Sequence, residues 1–157
     1  MKNINIGFDE SHNNKLKIED TAFADFLEFL INSNFKIGKI EAGLTHEKLS
    51  AYGLFIIGVP SESVIDSDEI TDIVKYVHDG GSLLVLNDQG GDLENQNNLS
   101  ELTKNFGITF NNDTLYDGRY FSVENSRPVI RDFKSHFITR DILNIIHSNG
   151  CTLSIDK

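Results

Sequence analysis

Tryptophan is absent from this sequence, cysteine and methionine occur once each, and proline occurs twice. A lone cysteine, Cys151, closes no intrachain disulfide, so the fold has to be held by a packed core rather than by cross-links. Basic residues are also scarce: 14 Lys and Arg stand against 24 Asp and Glu, a formal net charge of −10. Nonspecific nucleic-acid binding draws its affinity from clustered cations that neutralise phosphates, and no run of Lys or Arg is present. Lys15 and Lys17 lie close to Glu19 and Asp20. Missing too is any apolar stretch near the ~20 residues a membrane helix needs. The N-terminus, Met1 to Ile6, enters an alternating pattern directly, without the apolar core and small-residue cleavage site of a secretion signal. These absences point to a soluble, cytosolic protein that inserts in no membrane and binds no nucleic acid, with its acidity serving solubility. At 157 residues the chain fits one domain, residues 1–157.

What is present is an alternation of strand and helix patterns. Ile4, Ile6 and Phe8 alternate with polar residues, which predicts a strand over 3–8. Thr21–Asn32 reads as a helix with Phe23, Phe26, Leu27, Leu30 and Ile31 on one stripe, capped by Asp20 or Thr21. Residues 35–40 alternate again, and Thr45 opens a short turn through Leu49. Leu54–Val59 and Ser82–Leu86 are apolar at nearly every position, as expected of central parallel strands covered on both faces. Between them, Asp66 and Glu69 have capping-box spacing before a stripe of Ile70, Ile73, Val74 and Val77, and Gly80-Gly81 ends that helix. Asn98 leads a helix stopped by Gly107. Beyond it, 108–110, 115–116, 129–130 and 152–155 read as short strands, and Ile142, Leu143, Ile145 and Ile146 as a last helix ending at Gly150. The fold class is therefore α/β: a three-layer, doubly wound, mostly parallel sheet in the flavodoxin-like order 2-1-3-4-5, with additional C-terminal strands.

In such a sheet a ligand crevice lies beyond the C-terminal strand ends. Three loops should meet there: Asp9-Glu10-Ser11-His12-Asn13-Asn14, Pro60-Ser61-Glu62-Ser63 and Asn87-Asp88-Gln89-Gly90-Gly91. The candidate ligand-binding residues are Asp9, Glu10, Ser11, His12, Pro60, Ser61, Asn87, Asp88, Gln89, Gly90 and Gly91. The same residue types are also ordinary turn formers, and that reading stands beside the functional one. Asp9 and Glu10 would repel a flavin phosphate, and no Walker loop or spaced-glycine fingerprint occurs, so no cofactor is expected. Asp9, His12 and Asp88, with Glu10 near them, form an alternative divalent-metal set without a diagnostic spacing. His78 and His147 read as structural residues in the last turns of helices, and His46 as solvated. Nothing local places His136 at the crevice.

The path from Tyr52 to Gly107 resembles the class I glutamine-amidotransferase-like superfamily. The strand ending in Gly58-Val59-Pro60 lies where those enzymes carry an oxyanion strand, and Asn87-Asp88-Gln89-Gly90-Gly91 lies where they place a cysteine between glycines. Here Asn87 or Asp88 occupies that elbow, Cys151 is far downstream in an expected strand, and no activating His-x-Glu pair is present. Phe8-Asp9-Glu10-Ser11-His12, Tyr52–Pro60, Gly80–Leu84, Asp88 with Gly90-Gly91, Asn98-Leu99 before Phe106-Gly107-Ile108, and His136–Thr139 are similar, in that order, to the GIFT-type branch. That branch includes a domain of a ciliary transport subunit and a gliding-motility transport accessory protein. The resemblance implies a non-catalytic module that recognises a partner protein or a small polar ligand within a larger transport-type assembly. The alternatives are a metal-assisted hydrolase using carboxylates of the strand 1 and strand 4 loops, with His12 as acid, and a purely architectural domain that forms a homo-oligomer.

Overall fold

The computed structural model describes residues 5–156. Asn3 and Ile4, assigned above to the first strand, lie outside the described residues. Strands β1 (Asn5–Asp9), β2 (Lys36–Ile40), β3 (Leu54–Gly58) and β4 (Ser82–Leu86) form a parallel sheet in the order β2-β1-β3-β4. The α/β architecture is as expected, with helices on both faces. A 3₁₀ turn at Thr21–Phe23 leads into α1 (Ala24–Asn32), with the Asp20 carboxylate accepting from the Ala22 N–H. Helices α2 (His46–Leu49) and α3 (Ser67–His78) follow β2 and β3. After β4 come α4 (Gly91–Asn95) and α5 (Leu99–Thr103), then β5 (Ile108–Phe110), β6 (Val129–Ile130), β7 (Ile145–Ile146) and β8 (Leu153–Ile155). Antiparallel pairs β5–β8 and β6–β7 supply the additional C-terminal strands.

Strand alternation divides the core in two. Phe55 and Ile57 of β3 face a cluster built from Leu49, Ile70, Ile73, Tyr76, Leu99 and Leu102, while Ile56 faces the other way, onto Ile6, Phe8, Leu16 and Leu30. Each fully buried aliphatic side chain is worth about 1.5–3 kcal/mol, so β3, buried on both faces, carries the largest share per residue. In α3 the buried residues are Ile70, Ile73 and Tyr76, with Val74 and Val77 half-buried at the margin. Tyr76 is drawn inward because its hydroxyl reaches the carbonyls of Tyr52 and Ser82, each at 3.2 Å.

Four expectations are corrected. Strand β4 is not covered on both faces: Leu83 and Val85 join the larger core, but Leu84 and Leu86 are each 39% exposed. The smaller core, to which α1 contributes Leu30, draws on β1, β2 and β3 and does not extend to β4. On α1 itself only Leu30 is buried, and Phe29 and Ile31 face outward. The helix expected near 142–150 is absent; Ile145 and Ile146 pair with Val129 and Ile130 as β7, and Leu143 is 86% exposed. β-branched Ile145-Ile146 suits the extended backbone that the structure adopts there. Leu115-Tyr116 forms no strand; the Leu115 amide instead bonds the Gly150 carbonyl.

Gly7 and Gly38 are register partners on β1 and β2, and the Tyr52 ring lies across both. A Cβ on either would stand 2.7 Å from a Tyr52 atom. Gly7→Ala should therefore lower the unfolding free energy by about 1–3 kcal/mol, the usual cost of overpacking. Urea denaturation will check this, and the loss should shrink in a Tyr52→Ala background, where the obstructing ring is gone.

Candidate functional site

The crevice begins where β1 ends. Asp9 is buried, and its carboxylate is fully engaged: Oδ1 accepts from the Ser11 N–H (2.9 Å) and hydroxyl (2.7 Å), and Oδ2 from His12 Nδ1 (2.9 Å) and Asn14 Nδ2 (2.8 Å). The other His12 nitrogen, Nε2, meets Glu69 Oε2 at 2.9 Å. Glu69 belongs to α3, where it also accepts from the Asp66 N–H at 3.1 Å, the reciprocal bond of the predicted capping box, and from the Leu44 N–H at 2.8 Å. A residue read in the sequence only as a cap thus closes a buried ion-paired network across two elements.

Burial alone would lower the His12 pKa, but hydrogen bonds and charge from Asp9, and then Glu69, outweigh it and hold the imidazole above its ordinary 6.5. Burial likewise opposes ionisation of Asp9, yet His12, Ser11 and Asn14 together keep its carboxyl below 3.8. With a carboxylate oxygen 2.9 Å from each ring nitrogen, both nitrogens act as donors in this arrangement, and the imidazolium has both N–H groups spent. The arrangement is not a nucleophilic triad. Ser11 Oγ and Asp9 both face the same nitrogen, Nδ1, at 3.1 and 2.9 Å, and Ser11 gives its proton to Asp9. A triad needs the serine and the carboxylate on opposite ring nitrogens.

The three predicted loops do meet. Asn14 and Pro60 form an isolated bridge, Asn13 Nδ2 donates to the Ser61 carbonyl at 2.8 Å, and Asn97 Nδ2 reaches both the Pro60 carbonyl (2.8 Å) and Asn87 Oδ1 (3.3 Å). Lys15, noted in the sequence only for lying near Glu19 and Asp20, binds Asp88 Oδ2 at 2.8 Å and Asn95 Oδ1 at 2.9 Å. Glu10 turns away from the crevice residues to accept from the Ile18 N–H at 3.0 Å. Val59, at the end of β3, has φ 60°, a left-handed conformation that costs a β-branched residue about 1–3 kcal/mol. Asn14 Oδ1 is buried without a donor.

After β4 the chain turns sharply. Asn87 Nδ2 donates to Asp92 Oδ1 (2.9 Å), Asp88 Oδ1 accepts from the Gln89 N–H (2.9 Å), and Gly90 and Gly91 take φ 72° and 55° into α4. A Cβ on Gly91 would lie 2.5 Å from the Asn111 carbonyl oxygen, so this elbow requires glycine. Cys151 is not in a strand, and the tertiary structure brings it to this bend, where the amides of Cys151 itself and Gly91 face the sulfur. Burial, with Asp113 and Asp92 adding to it, pushes the thiol pKa up, the reverse of what a nucleophile needs. His147 stacks on Gly150, outside any helix, with Nδ1 unpartnered. His46 bonds Asp79 (2.8 Å), and His136 lies in an exposed loop away from these contacts.

The alternative metal set does not assemble: His12 has no free nitrogen, Asp9 no free oxygen, and Asp88 faces Lys15. Among the described residues no group of three or more His, Cys, Asp or Glu is placed to hold a metal ion.

The model of the IFT52 GIFT domain family matches residues 5–152. The chain belongs to that family. It is 31% identical over 148 residues to the human intraflagellar transport protein 52 homolog, covering 81% of this chain and 34% of the human protein. With the mouse homolog it shares 32% over 95 residues, 60% of this chain and 22% of that one. It thus spans about a third or less of these relatives. The solved mouse IFT52 N-terminal domain has the same fold, with a TM-score of 0.83 at 24% identity over 96% of this chain and 73% of that one. No helix among the described residues is long and apolar enough to cross a membrane.

His12→Ala should cost about 3–5 kcal/mol, because it leaves two carboxylates facing each other without their cation. A raised folded-state pKa means the stability His12 contributes is complete below pH 6.5 and is lost as pH rises through the higher folded value. Asp9 acts oppositely, contributing above 3.8 and losing its share as pH falls through its lower folded value. Thermal melts should therefore be highest in the window between 3.8 and 6.5, and His12→Gln should flatten the alkaline limb.

Proposed function

We propose that this GIFT-type chain, residues 1–157 acting as one domain, is a non-catalytic interaction module that holds a partner polypeptide within a cytoplasmic transport-type assembly. One observation carries the reading: the open edge of β4. Among the described residues the parallel sheet stops at β4, and β5, which would stand next to it in a 2-1-3-4-5 order, pairs with β8 instead. The space beside β4 is a groove of about 340 Å³, lined by Leu83, Leu84, Val85, Phe106, Phe110 and Leu153. An exposed strand edge flanked by apolar side chains is suited to adding an extended segment, its backbone paired and its alternate side chains buried. The crevice supports the same reading from the other side, since its acids and histidine are consumed by one another. Membership of a family named for a transport protein agrees with a place in an assembly.

A small polar ligand in the crevice is the second reading, favoured by the orphan Asn14 Oδ1 and the strained Val59. Self-association is a third use of the same edge. One set of variants separates them. Tagged chain expressed in its source cells should recover a stoichiometric partner; Leu84→Asp should abolish recovery and Asp88→Ala should leave it intact. The opposite pattern would move the function to the crevice. Recovery of only a second copy of the chain would make the module a homo-oligomer.

A further inference from the structure

In a protein of net charge −10, the segment from 131 to 140 gathers four nitrogen-bearing side chains around one concavity. Arg131, Lys134, His136 and Arg140 line a pocket of about 520 Å³ together with Ser135 and Phe137, and no carboxylate is among its lining residues. None of the four takes part in the ion pairs of the described residues. Asp132 and Asp141 are chain neighbours of Arg131 and Arg140 but stand outside this lining, so Arg131, Lys134 and Arg140 bring three permanent positive charges to a concavity that would attract an anion.

The loop is shaped by its own bonds. Thr139 Oγ1 donates to the Lys134 carbonyl at 2.8 Å, the Thr139 N–H donates to the His136 carbonyl at 3.1 Å, and the Ile142 N–H closes on the Thr139 carbonyl at 3.2 Å. His136 Nδ1 accepts from the Ile138 N–H at 3.3 Å, so the neutral ring carries its proton on Nε2. Arg131 lies over the Tyr120 ring, 5.1 Å from its centroid, and borders both this pocket and the neighbouring concavity that Tyr120 lines. Arg131, Lys134, Arg140 and the remaining His136 N–H are all donors. A pocket with such walls selects an acceptor-only ligand.

We infer that this pocket binds a phosphomonoester. A phosphate monoester carries about −1.5 to −2 charges and three acceptor oxygens, which matches two guanidinium forks and an ammonium better than a single carboxylate does. The volume exceeds what a bare phosphate fills, and the exposed Phe137 ring, 4.5 Å between centroids from His136, offers a flat surface to the organic group that bears it. The site is separate from the β4 edge and does not depend on the partner reading.

The test is a titration of the full chain with inorganic phosphate, phenyl phosphate, phosphoserine peptide and acetate at matched ionic strength, followed by amide chemical shifts. Phenyl phosphate should bind more tightly than inorganic phosphate and shift residues 131–140. Arg131→Gln or Arg140→Gln should each weaken it about tenfold or more, the loss of a charge-assisted hydrogen bond, without changing the thermal melt. Arg140→Lys should retain part of the affinity, because the charge stays and the fork is lost. If the phosphoserine peptide binds more tightly than phenyl phosphate, the phosphate arrives on a protein; the reverse assigns it to a small molecule, and either supports the site. Acetate binding as tightly as phosphate, no shifts with any phosphate, or an affinity unmoved by the Arg variants would overturn it.

Discussion

Much of this domain hangs on one imidazolium. His12 stands between Asp9, at the end of the first strand, and Glu69, in the first turn of α3, at 2.9 Å from each. Burying three ionisable groups is costly, and the cost is offset only if every donor and acceptor finds a partner. Here they do. Asp9 receives four hydrogen bonds, and Glu69 serves the α3 N-cap, the Leu44 amide and His12 together. The C-terminal end of β1, the loop before α2 and the start of α3 are thereby locked to one another.

That lock shapes the functional reading. A histidine with both nitrogens committed accepts no proton from a substrate, and a serine that donates to Asp9 on the same side of the ring is not activated by it. The elbow after β4 keeps its tight glycine turn, with an amide and a carboxylate at its start and a nearby thiol whose pKa is raised. These features suit a rigid platform better than a reaction centre. The surfaces left unsatisfied lie elsewhere: an apolar strand edge, and a concave cluster of cations in an acidic protein.

How much of this was legible depended on how local the signal was. The four parallel strands and α3 announced themselves, because alternation, continuous apolar runs and the Asp66–Glu69 spacing report on neighbours within a few residues. The convergence of the three loops followed from topology, since parallel strands send their C-terminal ends to one edge. Lys15, Asn95 and Asn97 carried no such signal. The bonds that tie them across the crevice span 73 residues from Lys15 to Asp88, 80 from Lys15 to Asn95 and 37 from Asn97 to Pro60, and a lysine beside acids looks the same whether solvated or tethered. The four isoleucines and leucines of 142–146 misled for a related reason: local apolar spacing does not report the pairing of Ile145 and Ile146 with Val129 and Ile130.

The sequence by itself determined the fold class, the order of the central strands, the loops that meet at the crevice and the lack of a cysteine at the position of the elbow, because each is written in periodicity or in residue type. Only the tertiary structure decided that β4 is an open edge, that Glu69 reaches His12, that Cys151 lies near the elbow with a raised pKa, and that the last third pairs as short antiparallel strands. Those outcomes turn on which surfaces are covered and which charges meet across long chain separations, and neither is encoded in any local run of residues.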